Sequence, residues 1–228
     1  MKRVVAISTD KAVSPVSTMG ATKLLAEKIV ASSQSWTKGH VLSSVRFGNV
    51  LGSAGSVVPL FERQIAEGGP VTVTHPDVTR FFMTISEACQ SIMQACVQGQ
   101  GSETFVLDMG EPIKISYLAR QLIRMAGLIP GQEIEIVYTG LREGEKLVEE
   151  LFHNEEKLEK TRHNQISLAE RRALNSDSVV NAIRLLTSNI QQSDTDGIEQ
   201  VMKEMVPEYM QRNLVDGSDS AQVINFSR

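Results

Sequence analysis

Residues 4–8, VVAIS, form a continuous apolar run containing β-branched side chains, and the run begins almost at the first residue. An apolar run of this length without alternation reads as a strand covered on both faces, the kind found in parallel sheets. Further strands are expected at VLSSVRFGNV (41–50), TFVLD (104–108) and EIEIVY (133–138). Helical patterns fall between them: Met19 to about Ser35, VVPLFERQIAE (57–67), a helix capped by Thr84 or Ser86 and ending near Gln98, and ISYLARQLIRMAG (115–127). VTVT (71–74) alternates between Gly-Pro and His-Pro flanks and reads as a short edge strand. Strands alternating with helices specify an α/β fold built on a parallel sheet. After Leu151 the chain turns polar and is expected to be mostly helical, with residues 214–228 as a frayed tail.

A central strand needs neighbours on both sides, and the later segments supply only some. The chain therefore reads as part of a larger fold. Its 228 residues suffice to bury a real core. Hydrophobic residues at 41% and charged residues at 22% exclude a disordered chain and a disulfide-built miniprotein. The 23 basic and 27 acidic residues leave a net charge of −4, which argues against nucleic-acid binding through bulk charge. No apolar run reaches the roughly 18 residues of a bilayer span. The opening MKRVVAISTD lacks the apolar core of a signal peptide, so a cytoplasmic location is expected. Cys89 and Cys96 lie seven apart in one helix, about 10 Å between Cα atoms and too far for a disulfide. They are expected as buried thiols. The histidines at 40, 75, 153 and 163 lack ligand spacing, so no metal site is expected.

Two segments could carry chemistry. STDKAVSPVSTMGATK (8–23) follows the first strand, placing Ser8, Thr9, Asp10 and Lys11 at the sheet edge where open α/β folds bind ligands. Met19 and Lys23 are four apart on the next helix and share a face. Spacing alone favours a capping Asp10, a surface lysine and a core Met19. GNVLGSAG (48–55) joins a strand to a helix, but its spacing is G-x-x-x-G-x-x-G and not G-x-G-x-x-G. It is a weak cofactor signal and could be a tight turn. Glu149, Glu150, Glu155 and Glu156 form an acidic run that reads as a solvated face.

The first segment resembles the active site of extended short-chain dehydrogenases, in particular the nucleotide-sugar 4,6-dehydratases of bacterial surface-polysaccharide synthesis (capsule and lipopolysaccharide O-antigen). Their Thr-Asp-Lys, then Tyr-or-Met-x-x-x-Lys, matches at Thr9, Asp10, Lys11, Met19 and Lys23. The resemblance continues through RFGNVLGSAGSVVPLF, TRFFMTISEA and GLREGEKLVEEL to VPEY at 206–209, with Glu143 standing where proline is commoner. A thioether has no ionisable proton, so Met19 cannot be the base that tyrosine is in most of these enzymes. The long, membrane-anchored branch of the 4,6-dehydratases also carries methionine there, and its usual substrate is UDP-N-acetylglucosamine.

The resemblance implies the second half of a Rossmann-like parallel sheet, with the catalytic segment in residues 1–55. A nucleotide-sugar-binding region over 56–213 would interleave with the last Rossmann elements. It implies an NAD-dependent internal redox dehydration, a lyase step giving a 4-keto-6-deoxy sugar. Lys11 would be the C5 base, Asp10 the C6 acid, and Thr9 would hold O4; Asp10 or a water beside Thr9 would take the O4 proton. A lysine acts as a base only where desolvation or a neighbouring cation such as Lys23 favours its neutral form. Ser8 and Lys23 would face the cofactor, Lys23 at the nicotinamide ribose. Asn49, the amides near Ser56 and Val57, Arg80, Arg142 and Glu145 would bind the UDP-sugar; Val71 and Val73 would flank the uracil or simply be strand residues. A homo-oligomer is implied, membrane-anchored only through sequence beyond this chain. Related alternatives are a nucleotide-sugar epimerase and a non-catalytic nucleotide-sugar-binding remnant. Because no G-x-G-x-x-G precedes Val4, the isolated chain is expected to bind NAD negligibly and to be inactive.

Overall fold

The computed structural model describes residues 2–153, 156–169 and 175–209. In chain order these form β1 (Arg3–Ile7), a 3₁₀ turn at Asp10–Ala12, α1 (Thr18–Ser33), β2 (Val41–Arg46), β3 (Asn49–Val50) and α2 (Val57–Ala66). Then come β4 (Val71–Val73), β5 (Thr79–Arg80), β6 (Phe82–Met83), α3 (Ile85–Gln98), β7 (Thr104–Leu107), β8 (Ile113–Lys114) and α4 (Ile115–Met125). The last are β9 (Ile136–Tyr138), β10 (Leu158–Lys160), β11 (Ile166–Ala169), α5 (Ser176–Gln192) and α6 (Thr195–Met205). This is a partial α/β Rossmann-like arrangement with mixed, open sheets.

The main sheet has five strands in the order β1-β2-β7-β11-β10. β1, β2 and β7 run parallel, so their C-terminal ends share one edge, and β11 and β10 continue the sheet antiparallel. The smaller pairs are β3 with β6, β4 with β9 and β5 with β8. α3 packs its Ala88 and Ala95 against the sheet in a core with Val45, Phe105, Leu107 and Ile166. A second core joins α2 and α4 to the β4–β9 pair through Phe61, Val73, Ile123 and Ile134. A third fastens α1 to α6 through Ala21, Leu24, Leu25 and Met202.

Four expectations need correction. β1 is not covered on both faces: it is the outermost strand, with Val4 36% and Ile7 46% exposed. The region after Leu151 is not mostly helical from its start, because β10 and β11 extend the main sheet before α5 begins. The expectation of buried thiols fails for Cys89, which is exposed, while Cys96 is half-buried; both are free thiols. Glu149 and Glu156 do not lie on a solvated face, since their side chains are buried against arginine and lysine. Glu155 and residues 210–228, which include the whole of the expected tail, lie outside the described residues.

Local signals explain how the site segment is held. Ser17 caps α1, its Oγ accepting from the Gly20 amide at 3.1 Å. Gly20 lies so close to Lys11 that a Cβ there would collide with the Lys11 carbonyl oxygen. That approach packs the first turn of α1 onto the Asp10–Ala12 turn. Thr84 caps α3 in a reciprocal capping box with Glu87, which decides between the two expected caps.

Candidate active site

The Asp10–Ala12 turn sits just past the C-terminal end of β1. The Ser8 amide donates to the Val45 carbonyl at 2.8 Å and the Asp10 amide to the Phe47 carbonyl at 3.1 Å, so β2 carries the strand's register into the turn. Asp10 is 0% exposed. Its Oδ1 accepts from Lys11 Nζ at 2.9 Å and from Thr9 Oγ1 at 2.9 Å. Its Oδ2 is buried with no hydrogen-bond partner, facing Gly48, where a Cβ would come within 3.1 Å of it. Lys11 Nζ also donates to Asn49 Oδ1 at 3.4 Å and lies 3.7 Å from Glu149 Oε1. Thr9, Asp10, Lys11 and Asn49 therefore converge as the sequence suggests, joined by a residue the sequence hides, Glu149.

Thr9 spends its own proton on Asp10. Its oxygen keeps acceptor capacity, and a sugar hydroxyl donating to it would have a two-bond path to the Asp10 carboxylate. Met19 is 47% exposed, which removes the core-methionine alternative and leaves it on an open helix face with Lys23. Lys23 is exposed, and its Nζ donates to the Ile7 carbonyl at 3.3 Å, holding it over the end of β1.

Ser8 is not presented to the cleft. It is buried, and its hydroxyl donates to Glu27 Oε1. Glu27 belongs to a buried ionic cluster in which Arg46 donates from Nη2 to Glu27 Oε2 at 2.6 Å and from Nη1 to Glu156 Oε2 at 2.8 Å. Burial works against the Arg46 charge, but the two carboxylates outweigh it and hold the guanidinium well above its ordinary value. Burial likewise pushes the Glu156 carboxyl up. Hydrogen bonds and charge from Arg46, with the His153 amide adding, turn the net shift downward.

Three of the expected nucleotide-binding residues, Arg80, Arg142 and Glu145, form a second group. Arg80 is buried; its Nη2 donates to Glu145 Oε1 at 2.9 Å and its Nη1 to the Thr79 carbonyl at 2.7 Å. Glu145 Oε1 also accepts from Thr74 Oγ1 at 2.9 Å, and Oε2 from the Arg142 amide at 3.1 Å. Glu145 thus fixes Arg80 and the Arg142 loop together, with Arg142 itself exposed. Arg80 Nε lies 3.9 Å from Glu149 Oε1, so Glu149 bridges this group to Lys11. At the start of α2 the Ser56 amide is taken by the Ser53 carbonyl at 3.1 Å. Ser56 Oγ, however, is buried with no partner and makes no cap bond, a donor open to an oxygen ligand beside the Val57 amide. Val71 and Val73 are wholly buried in the second core, which settles them as strand residues and not walls of a base pocket.

A cleft of about 260 Å³ opens past β7, lined by Met83, Glu87, Ser91, Asp108 and Gln165 among others; none of the expected site residues lines it. Among the described residues no group of three or more His, Cys, Asp or Glu could hold a metal ion. No described helix is long and apolar enough to cross a membrane.

The sequence pattern described by the polysaccharide biosynthesis protein family matches residues 1–171. The chain belongs to that family. It is 53% identical over 156 residues to the capsular polysaccharide biosynthesis protein CapD of Staphylococcus aureus, a match covering 68% of this chain and 26% of CapD. It is 37% identical over 156 residues to a UDP-glucose 4-epimerase of Rickettsia akari, covering 68% of this chain and 44% of that one. Among solved structures it is similar to Pen from Bacillus thuringiensis, with a TM-score of 0.67, 33% identity, and coverage of 80% of this chain and 62% of that chain. This polysaccharide biosynthesis family member therefore spans only a quarter to a half of the curated relatives' length.

Proposed function

We propose that this chain carries the catalytic and nucleotide-binding part of an NAD-dependent UDP-N-acetylamino-sugar 4,6-dehydratase, with UDP-N-acetylglucosamine as the substrate. The observation that carries this reading is the buried Asp10 carboxylate bonded to both Lys11 and Thr9, beside a Met19 that has no proton to exchange. An epimerase needs one acid–base group at O4. A dehydratase needs a base at C5 and an acid at C6 as well, and the Asp10–Lys11 pair supplies two groups.

The chemistry NAD would supply when bound is reversible hydride transfer, the redox half of the dehydration. Lys23, exposed over the end of β1, fits a contact to the nicotinamide ribose; Ser8, bonded to Glu27, does not fit a side-chain contact. Thr9 Oγ1 receives the O4 proton and relays it to Asp10. Lys11 removes the C5 proton that the new ketone has acidified. Asp10 delivers a proton to the departing C6 hydroxyl, so water leaves; as C6 gains its hydride, Lys11 returns the proton to C5, and the proton balance closes. Asn49 orients Lys11 through its Oδ1. Arg142, Arg80 and Ser56 Oγ hold the diphosphate, and the free lone pair of Glu145 Oε2 takes a ribose hydroxyl. Dinucleotide folds bind the pyrophosphate on a G-x-G-x-x-G loop. The sequence has none, and GNVLGSAG lies at Asn49 and α2, on the proposed substrate side. The cofactor's pyrophosphate half then needs a further strand-turn-helix unit on the free edge of β1.

The nucleotide half is tested by titrating UDP into the protein and into Arg142→Ala. Arg142 is exposed and its side chain supports no core, so the variant should fold. Losing one charge-assisted phosphate contact should weaken UDP binding by roughly ten- to a hundredfold. Unchanged affinity would remove Arg142 from the site.

A further inference from the structure

Glu149 is a buried carboxyl that the proposed steps leave idle. Its side chain is 3% exposed, and it faces charged groups from every segment packed around it: Lys11 and Asp10 from the turn after β1, Arg80 from β5, and Lys146 from its own segment. Its closest cations, Lys11 at 3.7 Å and Arg80 at 3.9 Å, both approach Oε1 at more than hydrogen-bond length. Oε2 is buried with no hydrogen-bond partner. The charge is thus held by attraction across a gap without directional bonds, a costly state for a buried carboxylate. Burial pushes the Glu149 carboxyl up, the neighbouring Asp10 charge adds to this, and Lys11, Arg80 and Lys146 oppose it without reversing it. A carboxyl with enhanced proton affinity therefore sits beside the amine that must become neutral to act.

We propose that Glu149 is the proton-accepting partner of Lys11, an inference that rests on the dehydratase reading above. The Lys11 ammonium proton passes to Glu149 Oε1 as the side chains close the gap. One N–H bond breaks, one O–H bond forms, and the electron pair stays on nitrogen. Two opposite charges, one on the buried Glu149 and one on the half-buried Lys11, vanish together, and no proton is exchanged with solvent. Lys11 is then a neutral amine that can take the C5 proton, while Asp10 remains bonded to Thr9 and free to serve O4 and C6. Glu149 touches no substrate in this scheme; it sets the charge of Lys11.

The pH dependence of turnover in Glu149→Gln, beside the conservative Glu149→Asp, tests this in the polypeptide that converts the UDP-sugar. Without an acceptor Lys11 must lose its proton to solvent. The acid limb of kcat/KM should then move up by about one pH unit or more, a loss of roughly tenfold or more on that limb. Glu149→Asp should restore part of the loss. An acid limb that stays in place, or moves to lower pH, means that Glu149 only stabilises the Lys11 cation, and overturns the proposal. Should Glu149→Gln fail to fold, or should no turnover be found, side-chain NMR of isotope-labelled Lys11 in the 228-residue chain decides. The Lys11 signal, assigned with Lys11→Arg, should share a titration step with the Glu149 carboxyl, and that step should shift in Glu149→Asp. Identical Lys11 titrations in both proteins overturn the coupling. Lys11→Met separates the two levels. Turnover surviving in that variant defeats the reading of Lys11 as base. A dead Lys11→Met beside a Glu149→Gln of wild-type pH profile defeats the role of Glu149 alone.

Discussion

Asp10→Asn should lower turnover by at least about 100-fold, the usual size of a general acid–base contribution, with UDP-sugar affinity intact. Asparagine keeps the shape, and its carbonyl can still accept from Lys11 and Thr9 where Asp10 Oδ1 does now. What it loses is the ability to take the O4 proton from Thr9 and give one to C6. The wild-type Oδ2 has no partner, so the substituted amide brings a buried donor with nowhere to bond and a stability cost of about 1–3 kcal/mol. Met19→Ala should cost far less turnover, because Met19 is half exposed and has no proton to give. The comparison is read by steady-state turnover beside a thermal melt of each variant. Equal damage from the two substitutions, with both proteins folded, would overturn the division of labour between Asp10 and Met19.

Arg46→Met should produce the largest loss of stability, about 3–5 kcal/mol, because it strands Glu27 and Glu156 as uncompensated buried charges. Replacing both carboxylates with leucine in the same protein should recover much of that loss. Urea denaturation measures both, and a loss below about 1 kcal/mol for Arg46→Met would show that the cluster is solvated. The pH dependence follows from the sign of the Glu156 shift. Its carboxyl is held below the ordinary value in the folded protein, so its contribution is full above the unfolded carboxylate range and disappears as the pH falls through the folded one. The penalty of Arg46→Met should therefore shrink in acid. The effect reaches the active segment, since Glu27 also accepts the Ser8 hydroxyl one residue before Thr9.

The alternation of apolar β-branched runs with helical patterns made the α/β class legible, and the polar residues following VVAIS marked the turn past β1 where Thr9, Asp10 and Lys11 are hydrogen-bonded together. β10 and β11 were not legible. LEK is exposed at all three positions and ISLA is four residues long, so neither shows a period; β11 is a strand because β7 offers an edge to pair with, and β10 because β11 offers the next. Glu149 and Glu156 read as a solvated run because their partners are remote in sequence. Arg46 lies 110 residues before Glu156, and Lys11 is further still from Glu149. A charge run gives no sign of which members face inward until topology brings cations to them. Val71 and Val73 show the opposite case: alternation correctly marked a strand, while the resemblance suggested a base-binding wall that the second core has filled. The spacing of Met19 and Lys23 fixed a common helix face but not its exposure, which follows from α1 burying Leu24 and Leu25 instead.

Asp10, Lys11 and Thr9 are proposed to remove water from a UDP-N-acetylamino sugar. The direct test is mass spectrometry of UDP-N-acetylglucosamine incubated with NAD and either this chain or the chain extended upstream by one strand-turn-helix cofactor-binding half. The expected result is a nucleotide sugar lighter by one water with the extended protein, absent when Asp10→Asn is used and absent with the 228-residue chain alone. A product of unchanged mass with inverted C4, or an unaltered substrate beside demonstrated NAD and UDP binding, would contradict it.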